Sequence, residues 1–292
     1  MSILDELNQN KILLSDGAWG TFLQAKGLKP GECPELWNIT HRTDVLDIAE
    51  SYLLAGSDII ETNSFGGSIF KLSQYSLRER VSEINQAAAA LSREAAGNKK
   101  HVAGSVGPTG KMLLLGDVTG KELYDAFREQ TIALEKGGAD IIIVETMSAI
   151  DEASLAVRAA RENTKCIVII TMTFSRTLKG EYRTMMGVSP EEMVSSMKEA
   201  GAHIIGSNCG NGIEDMIGIV KAIRAVDNKI PIMIQANAGV PELIDGKTVF
   251  RESPEMMASF VPELIKAGVN IIGGCCGTTP EHIREIGRKI GH

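Results

Sequence analysis

The sequence predicts a single-domain (β/α)8 barrel over residues 1–292, and two observations carry the prediction. One short sequence motif occurs four times. It consists of a small residue, a glycine, two further residues and then a β-branched run. Its copies are AGSDIIET (55–62), GGADIIIVET (137–146), AGAHIIGSN (200–208) and AGVNIIGGC (267–275). Four further apolar runs, at 11–17, 101–107, 166–174 and 231–239, bring the candidate strands to eight. A barrel needs this number of β/α units, whereas a doubly wound open sheet, the alternative, favours a G-x-G-x-x-G after the first strand that this sequence lacks.

Each copy of the motif predicts a helix that ends at a left-handed glycine and passes directly into a strand. These glycines are Gly56, Gly138, Gly201 and Gly268. The strands are apolar without alternation, as expected where both faces of a parallel sheet are covered. Three helix starts place a hydroxyl at the N-cap, proline after it and an acid in the first turn. They are Ser189-Pro190-Glu191, Ser253-Pro254-Glu255 and Thr279-Pro280-Glu281.

The charge balance and the cysteine count exclude several classes of protein. With 30 basic and 37 acidic residues the net charge is −7, which argues against a nucleic acid or an anionic membrane surface as partner. No apolar run approaches the roughly 20 residues of a membrane span, and the N-terminus lacks the basic and apolar regions of a secretory signal. Five cysteines, an odd number, indicate a reducing cytoplasm rather than a disulfide framework.

Polar residues follow most of the predicted strands at their carboxyl ends. In a barrel these ends converge on one mouth, where the chemistry takes place. The polar ends are Ser15-Asp16-Gly17, Glu61-Thr62-Asn63, Glu145-Thr146, Asn208-Cys209, Asn237 and Gly274-Cys275-Cys276-Gly277.

Three cysteines are the most specific feature of this mouth. Cys209, Cys275 and Cys276 follow strands six and eight, and three thiolates at one point suit a single Zn²⁺ with its fourth position open. Such a site is a poor activator of water but holds a substrate thiol deprotonated, which favours alkyl transfer onto sulfur. The alternatives are buried apolar cysteines, a vicinal disulfide or a non-catalytic zinc or redox sensor. Cys33 in a polar loop and Cys166 at the start of a strand are interpreted as non-ligands.

Acidic residues at the same mouth offer a second kind of chemistry. Glu61 and Glu145 could form the carboxylate pair of a glycosidase, hold the ammonium group of an amino acid, or pair with a cation inside the barrel. The cysteine cluster favours the ammonium role, above all for Glu145. Asp16-Gly17-Ala18 offers a carboxylate and backbone N–H groups that could cradle a substrate carboxylate, although Asp16 could also simply cap its loop.

Six segments together resemble the zinc-dependent homocysteine S-methyltransferases, from about residue 10 to 290. They are DGAWGT (16–21), ETNSFG (61–66), GSVGPTG (104–110), ETM (145–147), GSNCG (206–210) and GGCCGT (273–278). DGAWGT and the stretch 60–77 look most like the homocysteine-binding module of cobalamin-dependent methionine synthase.

The resemblance implies one zinc per chain on Cys209, Cys275 and Cys276, with the sulfur of homocysteine in the open position and methionine as the product. It implies that Glu145 contacts the amino group of homocysteine and that Asp16 and Gly17 lie at its amino-acid end. In related proteins an asparagine near the end of strand seven supplies an oxygen to zinc when substrate is absent, and Asn237 would be its counterpart. The family often has proline where Ala236 stands.

The methyl donor is predicted to be a methylated corrinoid carried by a separate protein. The Asp-x-His-x-x-Gly signature of a cobalamin ligand is absent from the sequence, so the corrinoid is expected to arrive on a partner. A small onium donor, S-methylmethionine or betaine, is the alternative.

Overall fold

Eight parallel strands form the wall of a barrel in the computed structural model, which describes residues 2–244 and 247–292. The strands are β1 (Leu13–Leu14), β2 (Ile59–Glu61), β3 (His101–Val106), β4 (Ile141–Met147), β5 (Ile167–Met172), β6 (Ile204–Asn208), β7 (Ile232–Ala236) and β8 (Ile271–Gly274). Neighbours along the chain are neighbours in the sheet, and β8 pairs with β1. A single parallel bridge between Ser15 and Ile59 joins β1 to β2 and closes the ring. The predicted barrel is confirmed, and the open sheet is excluded.

Helices connect consecutive strands around the outside of the barrel, except for α1, which precedes β1, and α13, which follows β8. They are α1 (Ile3–Asn8), α2 (Gly20–Ala25), α3 (Trp37–Thr40), α4 (Arg42–Leu54), α5 (Ile69–Ser73), α6 (Val81–Ala96), α7 (Gly120–Gly137), α8 (Ile150–Asn163), α9 (Pro190–Ala200), α10 (Ile213–Val226), α11 (Pro254–Ser259), α12 (Val261–Ala267) and α13 (Pro280–Ile290). Short 3₁₀ turns occupy Pro34–Leu36, Arg78–Arg80 and Leu113–Leu115. Among the described residues, no helix combines the length and the apolar character that crossing a membrane requires.

Local signals in the sequence explain where these helices begin and end. All four predicted glycines have positive φ, from +94° at Gly201 to +110° at Gly56, so each helix stops where a side chain would be strained. Ser189 and Ser253 accept hydrogen bonds from backbone N–H groups in the first turns of α9 and α11. The predicted proline stands at the start of α9, α11 and α13.

The core has two layers, one inside the barrel and one between the strands and the surrounding helices. Ile141 and Ile143 of β4 pack inside the barrel, whereas Ile142 and Val144 pack outward into the layer between strands and helices. At the amino end of the strands, α1 adds its apolar side chains to the inner cluster. That end is therefore plugged, and the polar carboxyl ends face the opposite mouth.

Two short antiparallel hairpins, which the sequence did not predict, lie in loops at this open mouth. One pairs Ser175–Arg176 with Tyr182–Arg183 after β5, and the other pairs Glu242–Ile244 with Lys247–Val249 after β7.

Candidate metal centre and substrate cavity

A cavity of about 300 Å³ opens at the carboxyl ends of the strands. It brings together residues from the loops after β1, β2, β4, β6 and β8, as the sequence predicts for a barrel mouth. Its lining includes Gly17, Ala18, Trp19, Glu61, Thr62, Phe65, Ser105, Glu145, Cys209, Gln235, Gly274, Cys275 and Cys276.

The three predicted cysteine ligands meet at one side of this cavity. The sulfurs of Cys209, Cys275 and Cys276 all lie within 4.8 Å of one another, and the Sγ atoms of Cys209 and Cys276 are 3.9 Å apart. Two sulfurs bound tetrahedrally to one Zn²⁺ at roughly 2.3 Å would be about 3.8 Å apart. All three thiols are free. The spacing therefore suits a shared metal ion.

Backbone hydrogen bonds to β7 hold the two cysteine-bearing loops in place. The N–H of Cys209 donates to the carbonyl of Gln235 at 3.1 Å, and the N–H of Cys275 donates to that of Ala236 at 2.7 Å. Cys209 adopts φ +59°, an uncommon conformation for a residue with a side chain. Strand β7 is thus the common support that sets the distance between Cys209 and the cysteine pair.

Asn237 supplies an independent sign that this cluster accommodates a ligand. Its side chain is buried and its Oδ1 atom has no hydrogen-bond partner, which is costly for a buried polar atom. The Asn237 side chain lies within hydrogen-bonding reach of Cys209. The three sulfurs alone form a donor set that a tetrahedral metal ion takes with one position left open, so the residues present fit a metal.

The protonation of the cluster also favours a cation. Hydrogen bonds from Cys275 and Cys276 lower the pKa of Cys209 to about 3. Hydrogen bonds with Cys209 and Cys276 raise the pKa of Cys275 well above its usual value, and the hydrogen bond with Cys209, together with burial, raises the pKa of Cys276 to about 11. Without a cation the cluster thus holds one thiolate and two thiols, and a metal that binds all three sulfurs must displace protons.

Glu145 lies in the same cavity without any positively charged neighbour. Its Oε2 accepts a hydrogen bond from Asn208 Nδ2 at 3.1 Å, and the Ser105 hydroxyl donates to its Oε1. Burial raises the pKa of Glu145 to about 7. No lysine, arginine or histidine in residues 2–244 and 248–292 pairs with it within 4.0 Å. A carboxylate buried in this way lacks the cation that would normally compensate it.

The segment Asp16-Gly17-Ala18 is placed at the cavity, but its polar groups are largely engaged within the protein. Asp16 is fully buried, and its Oδ2 accepts from Trp19 Nε1 and from the N–H of Glu61, both at 2.9 Å. The N–H of Ala18 donates to Thr278 Oγ1 at 3.1 Å. Asp16 therefore positions neighbouring residues, and the expected cradle cannot use the Ala18 N–H while that bond is made. A substrate contact for this segment stays a prediction.

The remaining cysteines lie away from the cluster. The Sγ of Cys166 donates to the carbonyl of Ala139 at 3.3 Å, next to the amino end of β5. Cys33, in the loop before the 3₁₀ turn at Pro34–Leu36, is buried beside Glu35, with its Sγ 3.3 Å from Oε2 of that residue.

Gln235, Ser105 and Asn208 are site residues that the sequence did not single out by role. Gln235 Nε2 donates to Glu61 Oε1 at 2.6 Å, and its Oε1 is buried without a partner. Its position near the carboxyl end of β7, two residues before Asn237, was the available signal.

Comparison with known proteins agrees with this geometry. A family model described as homocysteine S-methyltransferase matches residues 13–290. The chain belongs to the homocysteine S-methyltransferase family. It is 32% identical over 308 residues to the methionine synthase of Mycobacterium tuberculosis and 30% identical over 306 residues to that of Mycobacterium leprae. Each alignment covers 99% of this chain and 25% of the relative, so the chain spans about a quarter of the length of these relatives.

The fold of this family member is shared with solved structures. The metallated form of the homocysteine methyltransferase MmuM from Escherichia coli superposes with a TM-score of 0.79 at 22% identity, over 98% of both chains. The apo form of the same protein gives 0.74 at 21% identity, over 97% of both chains. At this identity the likeness shows the barrel fold alone.

Proposed function

We propose that the protein transfers a methyl group to the thiolate of homocysteine to form methionine, with one zinc held by Cys209, Cys275 and Cys276. One observation carries the proposal: a single cavity is lined both by a three-sulfur cluster and by Glu145, a buried carboxyl group that forms no ion pair in the described part of the chain. Homocysteine carries a thiol and an ammonium group on one short chain, so it complements both ends.

The metal and the protein have separate tasks in this proposal. When bound, zinc keeps a coordinated substrate thiol deprotonated and nucleophilic at neutral pH. Glu145 binds the ammonium group, and the donors Ser105 and Asn208 hold its carboxylate in place. Asn237, whose side chain lies within hydrogen-bonding reach of Cys209, would supply its oxygen to the metal when no substrate is bound. The chain thereby fixes both ends of the acceptor and leaves the sulfur facing the open mouth.

The rim of the mouth favours a large donor over a small one. Ten large apolar side chains are exposed on loops after β2, β3, β5 and β7, and we refer to them as the apolar rim. They are Phe65, Met112, Leu114, Leu115, Leu178, Met185, Met186, Val240, Leu243 and Ile244. Exposed apolar side chains concentrated around a site indicate a surface that another macromolecule covers. A methylated corrinoid carried by a separate protein would need such a surface, whereas S-methylmethionine or betaine would not.

Replacement of one sulfur ligand tests the acceptor chemistry. We expect Cys209→Ser to lose most bound zinc and all methyl transfer while the circular dichroism spectrum stays that of the folded protein. Cys166→Ser, a buried cysteine at the other end of the barrel, is the matched control and should keep both zinc and activity. Global unfolding of Cys209→Ser would instead assign the metal a structural role and contradict the proposal.

Turnover with each class of donor tests the donor. We expect methionine to form from homocysteine with a methylated corrinoid protein, and not with S-methylmethionine or betaine. Methyl transfer from S-methylmethionine in the absence of any corrinoid would overturn this part of the proposal and leave the acceptor chemistry standing.

The five free thiols further lead us to propose that the protein works in a reducing compartment, the cytoplasm.

A further inference from the structure

Glu61 is a buried acidic residue of the cavity that has no role in the proposed methyl transfer. It lines the cavity together with Glu145, and 6% and 7% of their respective surfaces are exposed. The two carboxyl groups lie within hydrogen-bonding reach of each other. Neither forms an ion pair with any lysine, arginine or histidine in the described part of the chain. Two carboxylates hydrogen-bond to each other only when one of them carries a proton, so this pair holds one.

The other hydrogen bonds decide which of the two acids carries the proton. Glu145 accepts from two donors, Ser105 Oγ and Asn208 Nδ2, which stabilise its ionised form. The orientation of the Asn208 amide is itself fixed, because its Oδ1 accepts from the backbone N–H of Thr146 at 2.8 Å and from Thr171 Oγ1 at 2.9 Å. The two oxygens of Glu145 are thus supplied with donors from the protein.

Glu61 has the environment of a neutral acid. Its side chain accepts one hydrogen bond, from Gln235 Nε2 to Oε1, which leaves Oε2 to carry the proton toward Glu145. Burial, Glu145 and Asp16 all raise the pKa of Glu61 well above its ordinary value, whereas that of Glu145 rises to about 7. Tyr52 also faces this group, and its pKa is raised as well, so it adds no charge.

We propose that Glu61 is a positioning residue that holds the proton of the Glu61–Glu145 pair, donates it in a hydrogen bond to Glu145, and so limits the pair to one negative charge. One charge matches one ammonium group, and the hydrogen bond fixes the Glu145 carboxylate that receives it. The ammonium as ligand rests on the proposed function, whereas the neutral state of Glu61 does not. Gln235 orients Glu61 and keeps its own unpartnered Oε1 at the cavity wall.

Identical substitutions at the two positions separate the neutral acid from the ionised one. In Glu61→Gln the new amide oxygen accepts from Gln235 and the amide nitrogen donates to Glu145, as the neutral acid does. We expect the KM for homocysteine to rise by no more than about threefold, because the amide reproduces the hydrogen bonds of the neutral acid. In Glu145→Gln the charge that meets the ammonium is lost, and we expect KM to rise about 100-fold, the equivalent of a lost charge-assisted hydrogen bond.

A spectroscopic measurement without substrate makes the test independent of homocysteine. At pH 8 the metal-free wild type should show infrared absorption of a neutral carboxylic acid that shifts on ¹³C-glutamate labelling and disappears in Glu61→Gln. Labelled glutamate excludes a contribution from Asp16. If Glu61→Gln does not fold, the labelled wild type still decides, because absence of a neutral glutamic acid at pH 8 would refute the proposal.

The possible results separate this inference from the proposed function. Equal loss of homocysteine binding in Glu61→Gln and Glu145→Gln would show that Glu61 is an ionised ligand and overturn the inference. Unchanged KM in both variants, with the neutral-acid band present, would contradict the role of Glu145 in binding homocysteine and leave the neutral state of Glu61 supported.

Discussion

In the proposed zinc site, the unpartnered oxygen of Asn237 would couple the stability of the protein to metal binding. In the metal-free protein this buried atom lacks a hydrogen bond, and such an atom costs about 1–3 kcal/mol. In the proposed site it would be the fourth donor beside the three sulfurs. The Asn237 oxygen would therefore destabilise the metal-free protein and stabilise the zinc-bound one. Removing it should raise the stability of the metal-free protein and lower the affinity for zinc.

Asn237→Leu tests this opposition because leucine has a similar size and no polar atom. We expect the free energy of unfolding of the metal-free protein to rise by about 1 kcal/mol, measured by urea denaturation. We expect the affinity for zinc, measured by chelator competition without homocysteine, to fall about tenfold or more. Asn85→Leu removes another buried asparagine with an unpartnered oxygen, on α6, and should leave zinc affinity unchanged. Unaltered zinc affinity in Asn237→Leu would refute the role of Asn237 at the metal.

At the scale of elements, the close approach of β6 and β7 sets the position of Cys209. Gly206 of β6 lies in register with Met233 of β7, and a Cβ at Gly206 would lie 1.8 Å from the Met233 carbonyl oxygen. A Cβ has no rotamer by which to escape, so the strands would have to separate. Because β6 leads into Cys209 and β7 holds the Cys209 N–H, separation would also displace a metal ligand.

Gly206→Ala should therefore damage both the fold and the metal site. We expect a loss of about 3 kcal/mol in the free energy of unfolding, as for overpacking of a rigid core, together with weaker zinc binding. Gly120→Ala is the control: its Cβ would meet only Leu155, at 3.7 Å, and an added methyl group at this helical position should stabilise by up to about 1 kcal/mol. Equal urea midpoints for the two variants would contradict the proposed tightness of the β6–β7 contact.

The elements divide into those that local sequence determines and those that depend on distant contacts. The eight strands, the four glycine-terminated helices and the starts of α9, α11 and α13 follow from signals within a few residues, and the sequence predicts them. The hairpins after β5 and β7 escape prediction because each strand has only two or three residues, too few for a periodic pattern.

The same distinction explains which parts of the site could be predicted. The cysteine cluster follows from residue type and the convergence of strand ends. The engagement of the Ala18 N–H depends on Thr278, 260 residues away, and the bond between Gln235 and Glu61 spans 174 residues. Hydrogen bonds between residues so far apart in the chain depend on the closed barrel, and no local sequence pattern predicts them.

At the scale of the whole molecule, the two ends of the barrel are chemically opposite. Helix α1 covers the amino end with Ile3 and Leu7, while the carboxyl end carries the cavity and the apolar rim. In the proposed transfer, the acceptor and the methyl donor would therefore approach from the same face. Of the rim residues Phe65 also lines the cavity, whereas the other nine lie outside its lining, so the rim can contact a carrier protein while the acceptor occupies the interior.

Removing two side chains of the rim should distinguish a protein-borne donor from a small one. Leu114 and Leu115 are 80% and 70% exposed, and we expect the double substitution Leu114→Gln/Leu115→Gln to lower kcat/KM with a methylated corrinoid protein about tenfold, as for lost contacts in an interface centre. With free methylcobalamin, which needs no docking surface, the same variant should match wild type. Leu54→Gln, 83% exposed at the end of α4 near the amino end of β2, is the control and should change neither rate. If the double variant slowed both donors equally, the rim would serve the cavity itself and the carrier would have to dock elsewhere.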